Sequence, residues 1–352
     1  MRRLKYSQAL LEAQAQCLEA DPSVLLMGLG VPGPTGIFGS TTGLVDRFGA
    51  DRVMDMPASE AGMTGIGLGM TVAGFRPVLI HIRVDFATLA MDQMVNQVAK
   101  WHFMYGGKMR APMVFRMIIG RGWGQGPQHS QSLQSWFAHV PGFKVVMPTT
   151  AYDAKGMLIS AIRDDAPVVM FEHRWLYGVE GDVPEAPYEA PLDKAKVMRE
   201  GRHVTIAATS YMVLEALRAA ELLATVGVEA EVIDVRSLVP LDVKTISDSV
   251  AKTGALVVAD TATVNFGVSA EIVAGVVETN VAAFKHAPQR IGLPFAPSPT
   301  TPILADEFFP RAYHIVKTVA KMLNVDQARL PPEPPAPGKW HDVPDPTYTG
   351  PY

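Results

Sequence analysis

The sequence predicts an α/β protein built on mainly parallel sheets and divided into two domains. Three observations predict it. The chain has 352 residues, more than one average domain of roughly 100–200. Short apolar runs alternate with segments of helical period, the pattern of a sheet covered on both faces. An acidic, proline-rich stretch then interrupts this alternation, which restarts beyond it.

Hydrophobic residues make up 48% and charged residues 19%, enough apolar material for two cores. A net charge of -4 offers no footprint for nucleic acid or an anionic membrane. Cys17 is the single cysteine, so no intrachain disulfide exists and a reducing cytoplasm is the expected compartment. The start, MRRLKYSQALLEAQAQ, lacks the apolar centre of a secretory signal. No run approaches the ~20 apolar residues of a membrane span.

Ser7 is the expected N-cap of a first helix through Leu18, with apolar residues at helical spacing. Val24 to Met27 reads as a buried strand, followed by a loop rich in Gly28, Gly30, Gly33 and Gly36. Glu60 to Ala73 is a helix loaded with glycines, each costing about 1 kcal/mol against alanine, a cost recovered where helices approach closely. Pro77 to Val84 is strand-like and Phe86 to Lys100 helical. Val114–Ile119, Lys144–Met147 and Val168–Glu172 are buried strands, with a helix over Tyr152–Arg163. After the linker come strand Val204–Thr209, helix Met212–Val226, strand Ala230–Asp234, helix Leu241–Lys252 and strand Ala255–Ala259. The expected division is a first domain over 1–178, a linker over 179–200, a second domain over 201–325 and a proline-rich tail over 326–352. That tail either wraps a partner or lacks fixed structure.

Glu60 stands where a turn meets the glycine-rich helix, so its carboxylate is expected to face a packed interior; a plain helix-dipole role is the alternative. His129, after a glycine loop, is either catalytic or a satisfied structural histidine. No metal-ligand spacing, nucleophile elbow or Walker loop is present.

In order along the chain stand PASEAG, RPV followed by DF, MDQMVNQVAK, YGGK, QHSQS, WFAHVPGFKVVMP, AYDAKG, AIRDDAPV, and PLD followed by TI. Together these resemble the β subunits of the thiamine diphosphate-dependent 2-oxo acid dehydrogenase decarboxylases, of pyruvate and branched-chain type, from about Leu10 to Leu323. The resemblance implies the thiamine diphosphate-binding fold, with a pyrimidine-type parallel-sheet domain and a transketolase C-terminal-like α/β domain. It also implies an α2β2 heterotetramer with an α-type subunit, whose Gly-Asp-Gly motif holds Mg2+ and the diphosphate. This chain contains no Gly-Asp-Gly, so it should not use the cofactor alone.

By the same resemblance Glu60 hydrogen-bonds the aminopyrimidine nitrogen N1′, and Phe86 packs on that ring. A carboxyl group in an apolar cleft shares a proton with a weakly basic nitrogen, because desolvation disfavours its charged form. Ala58 and Leu29 complete the cofactor-binding set. His129 orients substrate or moves protons. Met113, Ala161, Ile162, Asp164 and Ala166 match positions that bind a structural K+ in some members.

Departures from the family pattern concern the substrate. Leu29-Gly30 replaces an acidic pair. Arg83 is either an outward-pointing residue paired at a subunit interface or a cation facing the site, suited to a carboxylate, phosphate or sugar. Arg121, Trp123 and Gln128 colour the loop before the histidine. The leading expectation is the β subunit of a 2-oxo acid decarboxylating enzyme feeding a lipoyl acyltransferase. The alternative is a stand-alone α/β carboligase that passes a two-carbon unit to an aldehyde, ketone or sugar. An idle scaffold subunit is a third reading, disfavoured by the joint presence of Glu60, Phe86 and His129.

Overall fold

Strands that are apolar on both faces can be buried only in a sheet covered on both sides, and two such sheets organise this chain. The structure, a computed structural model, describes residues 2–121, 124–336 and 339. It forms two compact units, the first from 2–121 and 136–192, the second from 124–135 and 193–336.

The first unit runs β1 (Arg2–Lys5), α1 (Tyr6–Ala20), β2 (Val24–Gly28), α2 (Leu44–Phe48), β3 (Val53–Asp55), α3 (Glu60–Val72), β4 (Arg76–His81), α4 (Val84–Ala87), α5 (Ala99–Met104), β5 (Val114–Ile119), α6 (Gln134–Ala138, where the chain passes between units), β6 (Lys144–Val146), α7 (Ala151–Arg163), β7 (Val168–His173) and β8 (Glu180–Val183). Six strands are parallel in the order β6-β7-β5-β4-β2-β3. Helices α1 and α7 pack together.

Ser7 is not the N-cap. Helix α1 begins at Tyr6 with Lys5 in the cap position, and Ser7 is buried inside its first turn. The first amides of α1 instead donate to Val179 O and Tyr177 O, because β1 pairs antiparallel with β8 and brings that chain against the helix start. Orphan donors met this way need no side-chain cap. The acidic stretch is strapped down further by Lys155 Nζ, which donates to the carbonyls of Pro184, Glu185 and Ala186.

The helix expected over 86–100 is broken. A 3₁₀ turn at Thr88–Ala90 and a π-helical turn at Gln93–Val98 separate α4 from α5. The wide turn keeps Met94 and Val98 buried while Asp92 and Asn96 face out, joined by a 2.7 Å hydrogen bond.

Inside this apolar unit lies a charged network. Arg116 on β5 donates to both carboxylate oxygens of Glu172 on β7 (2.6 and 2.8 Å), to Gln14 Oε1 of α1 (2.7 Å) and to Ser40 Oγ (3.0 Å). Tyr177 donates its hydroxyl to Glu172. Arg116 and Glu172 are both fully buried. Burial and the Glu172 charge together hold the Tyr177 hydroxyl well above the usual phenol range.

The second unit runs β9 (Lys196–Arg199), β10 (Val204–Ala208), α8 (Met212–Ala224), β11 (Ala230–Asp234), β12 (Ser237–Val239), α9 (Val243–Thr253), β13 (Leu256–Thr263), α10 (Val268–Asn280), β14 (Gln289–Leu293), α11 (Pro302–Phe308) and α12 (Ala312–Met322). Its sheet has the order β14-β13-β10-β11-β9, parallel except for β9. Its core packs Val204, Ile206, Val232 and Val257 against Leu223 of α8 and Val316 of α12. The described start of the tail lies on α12, where Tyr313 donates to Pro331 O at 3.0 Å; the rest of the tail falls outside the described residues.

Two predictions follow from the first unit. Arg116→Met strands the Glu172 carboxylate and should cost about 3–5 kcal/mol in urea unfolding; the Arg116→Met/Glu172→Met pair should recover part of that loss. His81 on β4 is 3% exposed, its Nε2 has no hydrogen-bond partner, and burial lowers its pKa to about 4. The unfolded chain therefore takes up a proton here near the ordinary imidazole value of 6.5, while the folded chain does not until about pH 4. Native stability should fall across that window by about 3 kcal/mol relative to His81→Phe, at roughly 1.4 kcal/mol per unit. Parallel pH profiles for the two proteins would contradict this.

Candidate functional site

Parallel α/β sheets gather ligands at the carboxyl ends of their strands, and three adjacent strands, β3, β2 and β4, deliver candidate residues to that edge. Strand β2 ends at Gly28. A Cβ there would lie 2.4 Å from the Ile80 carbonyl oxygen, so only glycine lets β2 pass β4 this closely. Leu29 follows and is 47% exposed. Asp55, at the end of β3, accepts from Gly30 N (2.7 Å) and Met56 N (3.0 Å). It ties the loop after β2 to the turn after β3. The sequence reading passed over Asp55, although an aspartate between a strand and a Pro-Ala-Ser turn is a recognisable backbone acceptor.

That turn exposes Ala58 and places Glu60 as the first residue of α3, half-exposed at the positive end of the helix dipole. The packed surroundings expected for its carboxylate do not form among the described residues, where Glu60 is half-exposed. Helix α3 buries Met63, Thr64, Gly67, Leu68 and Thr71, but Gly62, Gly65, Ile66, Gly69 and Val72 are exposed. Gly67 is needed inside, where a Cβ would come within 2.8 Å of Met113 Cε; Gly69 has open space. Phe86, on α4 just beyond β4, is half-buried.

Arg83 does not point outward. It is 3% exposed, with Nη1 3.4 Å from Gly120 O. Arg121 is also buried and lies over the Trp175 ring at 3.9 Å. His173 at the end of β7 completes this basic group. Burial first, then the charges of Arg121 and Arg83, push its pKa well below the usual imidazole range. Gly120 has φ +78, and a Cβ on it would lie 2.2 Å from His173 Nε2. His173 and Trp175 carry little sequence signal; only the run His-Arg-Trp at the end of β7 marks them.

Leu29, Ala58, Glu60 and Phe86 thus share one edge of the first unit. Gln128, exposed, and His129, half-buried, are carried by 124–135 in the second unit. Trp123 lies outside the described residues. Cys17 is buried and its thiol is pushed up to about 11 by burial, which removes it as a nucleophile at neutral pH. Among the described residues, no group of three or more His, Cys, Asp or Glu is placed to hold a metal ion, and no helix is long and apolar enough to cross a membrane.

The residues matched to a K+ site do gather, but around an arginine. Arg76 Nη1 donates to the carbonyls of Ile162 (3.3 Å) and Asp164 (3.0 Å), and Nη2 to Asp165 Oδ1 (2.7 Å). Lys144 and Arg110 pair with Asp164 and Asp165. Met113 O accepts from Val168 N, and Ala161 O from Asp164 N, while Ala166 N donates to Asp164 Oδ1 at 2.9 Å. This set does not fit a resident cation: Arg76 already meets the Ile162 and Asp164 carbonyls, Lys144 and Arg110 the neighbouring carboxylates, and backbone amides the Met113 and Ala161 carbonyls.

Comparison with known proteins places this architecture. The family described as transketolase, pyrimidine binding domain, matches residues 2–180, and transketolase, C-terminal domain, matches residues 193–315. The β subunit of acetoin:2,6-dichlorophenolindophenol oxidoreductase from Cupriavidus necator is 40% identical, over 92% of this chain and 98% of that protein. The β-1 subunit of the mitochondrial pyruvate dehydrogenase E1 component from Oryza sativa subsp. japonica is 41% identical, over 91% and 87%. The chain belongs to the E1 β-subunit family of the 2-oxo acid dehydrogenases. A split-gene transketolase, solved as an inactive β4 tetramer, shares the fold with a TM-score of 0.72 at 21% identity, over 92% of this chain and 99% of that one. Within this E1 β-type chain, the first family match covers the segments that carry Leu29, Glu60 and Phe86.

If Arg76 takes the ion's place, exchanging Na+ for K+ should leave the thermal unfolding midpoint of the chain unchanged. Arg76→Met should lower that midpoint equally in both salts. A rise specific to K+ in the native chain would show that the loop holds the ion after all.

Proposed function

We propose that the chain is the β subunit of a thiamine diphosphate-dependent enzyme that decarboxylates a 2-oxo acid, active with an α-type partner in an α2β2 assembly. The observation that carries this reading is Glu60 at the start of α3, on the strand edge that also presents Leu29 and Phe86. The edge offers a carboxyl, an apolar and an aromatic group together, which suits an aminopyrimidine ring. It offers no acidic cluster for Mg2+ among the described residues, so Mg2+ and the diphosphate fall to the partner. Arg76 supplies the charge that K+ would bring, and K+ is left out of the proposal.

When bound, thiamine diphosphate supplies the electron sink for decarboxylation. This chain's residues do the rest of their share by position. Glu60 holds a proton on a carboxylate oxygen against the ring nitrogen N1′, and a partner surface laid over the exposed face of α3 would remove water from that carboxyl and strengthen the bond. Phe86 holds the ring by stacking, with Leu29 and Ala58 as its apolar floor. His129 orients the substrate carboxylate or moves a proton. Arg83 and Arg121 bias the nearby electrostatics toward an anionic substrate.

The two relatives named above are an oxidoreductase and a dehydrogenase component, which favours oxidative use of the acyl unit over its transfer to a sugar. A lipoyl acyltransferase is the matching acceptor. The single buried cysteine suits a reducing compartment such as the cytoplasm.

Glu60→Gln keeps the shape of the side chain and removes its exchangeable proton. In the assembled α/β enzyme it should lower kcat by about 10²–10⁴-fold without changing the size of the complex, with pyruvate, 2-oxobutanoate and 3-methyl-2-oxobutanoate tried in turn. Full activity in this variant would defeat the reading.

A further inference from the structure

The loop that carries His129 is built to be loose. Between 124 and 133 it forms no helix or strand, and it holds Gly124 at φ +68, Gly126 at φ +64 and Pro127. Left to its own composition, such a segment samples many conformations. Two sets of contacts within the second unit restrain it, on either side of His129.

On the N-terminal side, Gly126 passes so near Thr300 that a Cβ would lie 2.6 Å from its Oγ1. On the C-terminal side, Gln134 is fully buried, and its Nε2 donates to Asp260 Oδ1 (2.8 Å) and Thr261 Oγ1 (3.2 Å). Asp260 sits on β13, 1% exposed. Its Oδ1 also accepts from Thr209 Oγ1 (2.6 Å), at the end of the neighbouring strand β10, and from Thr261 N (2.8 Å). The other oxygen, Oδ2, has no hydrogen-bond partner. Burial raises the Asp260 pKa above the ordinary carboxylate range.

A buried carboxyl with one oxygen unmet is a poor device for stability. Its geometry does something else: it offers a single acceptor, fixed by two strands, to one side chain of the loop. Ser130, directly after His129, is itself 3% exposed and adds a buried point between the two restraints.

We infer that the Asp260–Gln134 pair is a positioning device for His129, fixing the histidine-bearing loop on the second unit. Asp260 and Gln134 touch neither substrate nor cofactor in this role; they act through the loop. The inference rests on the proposed catalytic role of His129, and its test separates the two.

The test is a double-mutant cycle in the assembled α/β enzyme, using whichever of the three 2-oxo acids above the native enzyme turns over fastest, with 2,6-dichlorophenolindophenol as electron acceptor. Gln134→Met keeps the side-chain volume and loses both donors. It should lower kcat about tenfold or more while leaving the thiamine diphosphate dissociation constant and the α/β assembly unchanged. In a His129→Ala background the same substitution should have no further effect. Asp260→Asn keeps the Oδ1 acceptor and should retain most activity, whereas Asp260→Leu should match Gln134→Met. If Gln134→Met does not assemble, Thr261→Val, which removes only the longer of the two bonds, replaces it in the cycle. Equal losses from Gln134→Met with and without His129, or full activity in Gln134→Met, overturn the inference. Full activity in His129→Ala overturns the role of the histidine, and the positioning device falls with it.

Discussion

The buried Arg116–Glu172 pair is the constraint on which the first unit depends. Two opposite charges in an apolar interior repay their lost hydration only if nearly every donor and acceptor is met, and here the partners come from many elements. Gln14 brings α1, Glu172 brings β7, Ser40 brings the long loop after β2, and Tyr177 brings the chain that leads into β8. A pair that needs all four fixes the register of each. Ser40 lies on the same loop as Leu29, so the network that stabilises the interior also shapes the start of the candidate site.

Helix α3 shows the complementary logic. It carries glycine on both faces, but only Gly67 is demanded by packing inside the chain. The exposed glycines, with Ile66 and Val72, weaken the helix and leave apolar surface in water. A face of that kind is stable in solution only when something covers it, and Glu60 opens the same helix. Under the proposed α/β assembly, a partner laid on this face would complete the carboxyl's surroundings.

Cationic side chains gather in two parts of the first unit. Arg76, Lys144 and Arg110 neutralise the loop at 162–166. Arg83 and Arg121 concentrate positive charge beyond the carboxyl ends of β4 and β5, beside His173 at the end of β7. His173 is kept neutral there, since a third positive charge beside two guanidinium groups in a dry setting is unfavourable.

Sequence alone determined the fold class and most strands, because apolar period and turn chemistry are local signals; Leu29, Ala58 and Phe86 were marked only by family resemblance, and Asp55, His173 and Trp175 were passed over. Val114–Ile119 and Ala230–Asp234 were legible from their runs of apolar residues, and Glu60 from its place before a glycine-rich helix. The pairing of β1 with β8 was not legible, since the strands lie at opposite ends of a unit, and that pairing made a side-chain cap at Ser7 unnecessary. Arg116 and Glu172 were hidden inside apolar strands, where a lone charge carries no pattern until its partner on another strand is known. The same holds for Asp260 and Gln134, separated by more than a hundred positions. Local pattern and family resemblance offered candidate residues; only tertiary structure decided which buried charges meet, because that depends on strand order and on no signal that a single segment contains.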